Sequence, residues 1–390
     1  MSKAPKLRFP KFEGEWEEKE LGEVGGIITG KTPSTKEEDL WNGDILFVTP
    51  TDINESKYQH STERTVKKTD KMNVLPEKSV MVTCIASIGK MSLSTKPSIT
   101  NQQINSIVPY KEISDNEFLY YAILKDIDKI KASQSSSTVP IINKAEFAKI
   151  NTFIPSIAEQ QKIADCLSAL DEEIVAEEES LGALKAYKKG LLQQLFPEGV
   201  SKSTPPLIFN KLPKLRFKGF EGEWEEVKLG EICNITNGKA NVQDHIEGGR
   251  YPLFDRSEVV KASNEYFLDC ETVILPGEGI RFTPKYYKGK FNLHQRAYAL
   301  KEFSCSGLFL YYAIYAKKDL LATKAVQSTV LSLRLPILQN FEICIPVDIA
   351  EQEKIANCLS SLDELIEAKN EKIKLLKSYK KGLLQQMFVN

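Results

Sequence analysis

IAEQQKIADCLSALDEEI, Ile157 to Ile174, returns as IAEQEKIANCLSSLDELI, Ile349 to Ile366, at an offset of 192 residues. A second stretch, KAYKKGLLQQLF from Lys185 to Phe196, returns at the same offset as KSYKKGLLQQMF from Lys377 to Phe388. Between them the apolar positions keep alternating spacings of four and three. In the first copy the seam is Ile163, Leu167, Leu170, Ile174, Glu177, Leu181, Leu184, Lys188, Leu191 and Leu195. In the second it is Ile355, Leu359, Leu362, Ile366, Lys369, Ile373, Leu376, Lys380, Leu383 and Met387. A heptad seam held this long, with no proline inside it, predicts two long helices. So narrow an apolar stripe has to bury itself against a partner. The opposite charges of Glu177 and Lys369, at equivalent seam positions, favour pairing of the two helices with each other.

Direction follows from reach. Helices of about 40 residues are ~60 Å long. Parallel packing would ask the connection Pro197 to Pro213 to run back that whole length, and its 17 residues span at most ~56–61 Å fully extended. Antiparallel packing needs almost no reach. The sequence therefore predicts an antiparallel pair, related by a pseudo-two-fold axis, with one variable domain at each end.

The duplication extends upstream. KLRFPKFEGEWEEKELGEV, Lys6 to Val24, returns as KLRFKGFEGEWEEVKLGEI, Lys214 to Ile232, at an offset of 208. The two offsets differ by 16, so the first copy holds 16 more residues between its shared ends. The middles barely resemble each other beyond FLYYAI at Phe118 and its counterpart at Phe309. The predicted organisation is a first domain over 1–155, a helix over 156–196, a linker over 197–213, a second domain over 214–346 and a second helix over 347–388. Short β-branched and aromatic runs such as DILFVTP, SVMVTCIAS, INSIVPY, TVILPG and RAYAL read as strands, with helices interspersed. Each domain is then mixed α/β.

Composition narrows the function. The chain of 390 residues is 42% hydrophobic and 27% charged, with net charge −1, so binding to nucleic acid requires local basic patches. Seven scattered cysteines without a C-x-x-C pair argue for a reducing cytoplasm and against a zinc site. No signal peptide or membrane span is visible. Two basic stretches read as loops. Ser56 to Asn73 carries Lys57, Arg64, Lys67, Lys68 and Lys71, and Gly279 to Arg296 carries Arg281, Lys285, Lys288, Lys290 and Arg296 interleaved with Phe282, Tyr286, Tyr287 and Phe291. Such patches suit a phosphate backbone. Gln134 to Thr138 and Gln327 to Thr329 add hydroxyl residues at similar places. The acidic run Asp171, Glu172, Glu173, Glu177, Glu178 and Glu179 reads as a solvated or protein-docking helix face.

One motif competes. Gly25-x-x-x-x-Gly30-Lys31-Thr32 is a literal P-loop match. Its flanks are wrong for one: Val24 to Ile28 reads as a poor strand, and Pro33-Ser34-Thr35 as a turn. The repeat keeps only Gly238-Lys239, losing the first glycine and the hydroxyl. A tight glycine turn presenting Lys31 and Lys239 to phosphate fits both copies better than a nucleotide cradle. No methyltransferase, nuclease, hydrolase-elbow or zinc-protease motif appears. The alternatives are a nucleotide-binding enzyme built on Gly25–Thr32 and a structural coiled-coil adaptor.

The duplicated IAEQ and YKKGLLQQ helices, the opening EWEE…LGE with its Gly-Lys turn, and Trp41-x-Gly43-Asp44-Ile45 together resemble the specificity subunit of type I restriction–modification enzymes, over essentially the whole chain. That resemblance implies an α/β protein with two target-recognition domains joined by an antiparallel pair of coiled-coil helices. It implies a non-catalytic chain that reads a split sequence in double-stranded DNA and docks two methyltransferase subunits, with translocase–endonuclease subunits joining that core. S-adenosylmethionine, ATP and magnesium would belong to those partners, and this chain would carry no cofactor. The second domain lacks a Trp-x-Gly-Asp equivalent, which implies different half-sites.

Overall fold

A computed structural model describes residues 3–54, 56–132, 140–197, 212–326 and 330–389. Two compact units emerge, and each contains parts of both long helices: the first comprises 1–178 with 371–390, the second 179–370. The helices run Ile157–Leu195 and Ile349–Gln386. Every residue of both heptad seams is buried or half-buried.

In the first unit the strand Glu17–Glu20 pairs antiparallel with Asn151–Ile154, just before the first long helix. A five-stranded sheet is built from Gly25–Thr29, Ile104–Pro109, Val80–Thr83, Met91–Ser94 and Tyr58–Gln59, in that spatial order. A three-stranded sheet places Trp41–Val48 between Arg64–Val66 and Ser98–Thr100. The helix Asn116–Ala132 packs against the first of these sheets.

In the second unit, Trp224–Lys228 pairs with Glu342–Pro346 in the same way. A six-stranded sheet orders Asn234–Asn237, Ala297–Lys301, Leu268–Pro276, Lys285–Leu293, Tyr251–Phe254 and Lys261–Ser263. The helix Gly307–Ala316 covers it. Both units are mixed α/β, as the strand and helix patterns predict.

The duplicated residues converge on two equivalent clusters. In the first unit, Trp16, Phe118 and Phe388 meet with ring centroids 5.2–6.1 Å apart. In the second, Trp224, Phe309 and Phe196 meet at 5.4–6.5 Å. Tyr121 donates to Asp171 at 2.6 Å, and Asp171 holds Lys380 at 2.5 Å. Tyr312 likewise donates to Asp363 at 2.7 Å, and Asp363 pairs with Lys188. In each unit the tryptophan, tyrosine and aspartate belong to one copy of the repeat, while the lysine and the terminal phenylalanine come from the other copy's helix. Within the first unit, Asp171 meets Lys380 while Glu177 meets Lys372, so numbers rise on one helix as they fall on the other. The helices are antiparallel.

The repeated IAEQ has a local task. Glu159 and Glu351 are both buried, and each accepts two bonds of 2.8 Å from one guanidinium, of Arg8 and Arg216 respectively. The same arginines donate to Gly14 and Glu13, or to Gly222 and Glu221. Gln160 and Gln352 each accept from a backbone amide, of Asp115 and Ser306. Buried charge is tolerable here because it is paired and bidentate. These bonds tie the KLRF arm and the central helix of each domain to the start of its long helix.

The acidic run is less solvated than its composition suggests. Asp171 is taken by Lys380 and Tyr121, Glu173 and Glu177 by Lys372, and Glu178 by Lys377.

Candidate nucleic-acid interface

The segment Gly25–Thr29 is a strand after all, paired with Ile104–Pro109, because its backbone bonds are met by a neighbour whatever its glycine content. No α-helix follows it: residues 31–37 are irregular, and a three-residue 3-10 turn, Glu38–Leu40, comes next. A P-loop needs a helix N-terminus there to receive phosphate. Gly30 has a different reason. A Cβ on it would lie 2.2 Å from the Thr100 carbonyl oxygen, and one on Gly238 would lie 2.0 Å from that of Leu293. Only glycine allows these close approaches. Lys31 and Lys239, next in sequence, are exposed.

Lys31 and Lys71 line one cleft of about 720 Å³ in the first unit, together with Thr32, Ser34, Thr69 and Asn73. The Trp41-x-Gly43 element builds its edge. Trp41 donates to the Ser34 carbonyl at 3.2 Å, and its ring lies 3.3 Å beneath the Arg64 guanidinium. A Cβ on Gly43 would strike the Lys67 backbone at 2.5 Å. Arg64, Lys67 and Lys68 are exposed on and after the strand Arg64–Val66.

Lys57 does not belong to this surface. It is 8% exposed. Its ammonium donates to Glu117 at 2.6 Å, Ser168 at 2.7 Å and Tyr121 at 3.0 Å. Burial pushes its pKa down despite the carboxylate. Glu117 is first pushed up by burial, but its bonds from Lys57, Ser168 and Tyr58 prevail and bring it to about 2. Lys57 is a structural cation inside the first unit.

In the second unit the basic stretch is a strand rather than a loop. In the strand Lys285–Leu293, residues Lys285 to Phe291 pair antiparallel with Leu268 to Ile274. Alternation then divides its residues between two faces. Tyr287 and Phe291 pack with Phe254, and Phe282 is buried. Of the interleaved aromatics, Phe282 and Phe291 are therefore core, and Tyr286 and Tyr287 are half-buried against it. Tyr286 turns inward too, donating to Glu271 at 2.6 Å beside Tyr311. Lys285 is half-buried, donates to the Ser257 carbonyl, and has its pKa pushed down by burial. Tyr286 and Lys285 are thus removed from the predicted contact set. Arg281, Lys288 and Lys290 are exposed. Lys290 lies 4.8 Å over the Tyr266 ring and Lys239 4.8 Å over Phe267. Arg296 is exposed but bonded to Glu278 at 2.8 Å, which Arg256 also approaches at 3.6 Å. Sequence reading missed Arg256, which only the fold brings near Arg296. The hydroxyl runs Gln134–Thr138 and Gln327–Thr329 lie outside the described residues.

Among the described residues, no group of three or more His, Cys, Asp or Glu could hold a metal ion, and no helix is long and apolar enough to cross a membrane. Among the described residues, no cysteine forms a disulfide.

One frame built twice, carrying a different exposed basic face in each copy, defines a duplicated binding scaffold. The chain belongs to the family described as "Type I restriction modification DNA specificity domain", whose model matches residues 13–185 and 221–378. The MjaIX specificity subunit of a type I restriction enzyme from Methanocaldococcus jannaschii is 28% identical over 263 residues, 64% of this chain and 60% of that one. The HindI specificity subunit from Haemophilus influenzae is 36% identical over 159 residues, 36% of this chain and 32% of that one. The chain thus spans less than two thirds of these two relatives. The MjaVIII specificity subunit of M. jannaschii is 23% identical with 97% and 92% coverage. A solved S subunit of a type I restriction–modification system from M. genitalium shares the fold, with TM-score 0.69, 18% identity and 99% of both chains covered.

Proposed function

We propose that this chain is the non-catalytic DNA-recognition subunit of a type I restriction–modification complex, in which each mixed α/β domain reads one half of a split duplex target. The observation that carries the reading is the pairing of a repeated frame with unlike exposed faces: Lys31, Arg64, Lys67, Lys68 and Lys71 in one domain, Lys239, Arg281, Lys288, Lys290 and Arg296 in the other. Lysine and arginine at such places neutralise phosphates and position a protein, while base edges supply specificity. With a net charge of −1, overall charge does not draw the chain to DNA, so local cations such as these have to do so.

The long helices would dock two methyltransferase subunits. Tyr187 and Tyr379 stand at equivalent places on the two helices, and both are exposed, as are Val175, Leu365 and Leu375. Apolar side chains left on a solvated helix favour a protein partner. Adenine methylation with S-adenosylmethionine, and ATP- and magnesium-dependent translocation and cleavage, would reside on partner subunits. A nucleotide-binding role for Gly25–Thr32 is disfavoured by the irregular backbone at 31–37 and by the steric reason for Gly30.

Duplex binding measured from ~50 to ~200 mM salt tests the reading. The logarithm of affinity should fall steeply and linearly with the logarithm of salt. Lys31→Ala and Lys239→Ala should each reduce that slope by about one. Salt-independent binding, or none, would reject the proposal in favour of an adaptor.

A further inference from the structure

Beneath each Gly-Lys turn the chain makes the same reversal, although the two sequences are unlike. In the first unit the turn is Asn101-Gln102-Gln103-Ile104, closed by the Ile104 amide on the Asn101 carbonyl at 3.2 Å. In the second it is His294-Gln295-Arg296-Ala297, closed by Ala297 on His294 at 2.9 Å. The first residue of each turn donates its amide to the end of a neighbouring strand, Asn101 to Val48 and His294 to Phe254. Gly30 donates to Ile104 at 3.2 Å and Gly238 to Ala297 at 3.3 Å. The second residue of both turns is an exposed glutamine. Each is held by a side chain that follows the glycine: Thr32 donates to Gln102 Oε1 at 2.8 Å, and Gln295 Nε2 donates to Asn241 at 2.7 Å. Lys31 and Lys239 stand exposed beside them.

We infer that Gln102 and Gln295 are base-reading residues of the two domains, an inference that rests on the DNA-recognition reading above. A carboxamide has two donor hydrogens and an acceptor oxygen. One internal bond fixes its plane and leaves donor and acceptor capacity facing solvent. A pre-oriented glutamine of this kind matches a purine edge in the major groove, adenine above all through N6 and N7. The adjacent lysine supplies the phosphate contact that sets register. A glutamine serving only its own turn would not need an exposed head beside a cation in both copies.

The test is selection from a randomised duplex library by the full chain, purified with whatever subunits its host supplies. The unaltered protein should enrich a split sequence. Gln102→Ala should relax one or two base pairs in one half, by roughly 5- to 150-fold each, and Gln295→Ala should relax the other half. Gln→Glu at each site, which keeps the size and one oxygen, should change the preferred base rather than abolish enrichment. Lys31→Ala should keep the sequence and weaken binding overall. Alanine variants that retain full preference at every position, or that both relax the same half, overturn the assignment. If the unaltered protein enriches nothing, the DNA reading fails first and takes this inference with it.

Discussion

Phe388, near the chain's C-terminal end, should stabilise the N-terminal domain rather than the domain that precedes it in sequence. Its ring is 3% exposed and meets Phe118 at 5.2 Å and Trp16 at 6.1 Å. Truncating a buried phenylalanine to alanine costs about 3–5 kcal/mol, through lost transfer energy and the cavity left behind. Two aromatic partners and near-complete burial favour the middle of that range, about 4 kcal/mol. At ~1.4 kcal/mol per tenfold change, local opening should rise roughly 10³-fold. Native-state hydrogen exchange on the full chain reads this directly. In Phe388→Ala, amides of Phe118–Ile123 and Ile163–Ile174 should lose protection, while those of Phe309–Ile314 and Ile355–Leu359 keep theirs. Phe196→Ala should give the mirror pattern, since that ring packs on Trp224 and Phe309. Loss of protection in the sequence-adjacent domain instead would refute the exchange of helix ends between copies.

Glu117 predicts a pH effect. Its folded pKa, about 2, lies below the ordinary glutamate value of ~4.3. A depressed carboxylate contributes stability that is complete above the unfolded value and is lost as pH falls from about 4 towards 2. Glu117→Gln should lower stability at neutral pH and flatten the acid limb in that window, as followed by denaturant midpoints; an unchanged limb would contradict the pairing with Lys57. Gly30→Ala should cost about 1–3 kcal/mol through backbone overlap with Thr100, and calorimetric titration of the unaltered chain with ATP should show no heat of binding. Saturable ATP binding that Gly30→Ala abolishes would restore the P-loop.

The frame was legible because its signals are local and written twice. The heptad seams specify helices, and the reach of Pro197–Pro213 selects their direction. Trp16, Phe118, Asp171 and Lys380 all lie in repeated stretches, but that Trp16 and Phe118 meet Phe388, and Asp171 meets Lys380, is a tertiary fact. Lys188 and Lys380 occupy seam positions that periodicity assigns to burial, and they are accommodated by Asp363 and Asp171. The basic faces were less legible. Nothing in SKYQH distinguishes Lys57, directed at Glu117, from the exposed Lys67 and Lys68. Lys285–Leu293 looked like a loop because its lysines, tyrosines and Gly289 mask the alternation of a strand. The equivalence of Gln102 and Gln295 was invisible, since it resides in backbone hydrogen bonds that unlike side chains satisfy equally well.

The division of the apolar cores predicts which domain exchanges will succeed. In the second unit one cluster, Phe254, Ile274, Phe291, Leu293, Ala297 and Ala299, lies wholly within the variable stretch. A graft can replace it without consulting the frame. The other cluster joins Trp224, Phe309, Ile355 and Leu359 to Val273, Leu275 and Leu300 on the variable strands. Replacing 233–344 should therefore preserve folding only when the donor supplies apolar residues at the strand positions of Val273, Leu275 and Leu300, an aromatic equivalent to Phe309, and a tyrosine to meet Asp363. Such a graft should unfold at nearly the parental temperature, and methylation mapping of the assembled complex should show one half of the target changed and the other kept. A polar residue at one of the three strand positions should lower stability by about 1–3 kcal/mol through an unsatisfied buried group. Grafts that fold equally well with polar residues there would mean that head and frame do not share this core, and a change in both target halves would mean that the two domains do not read independently.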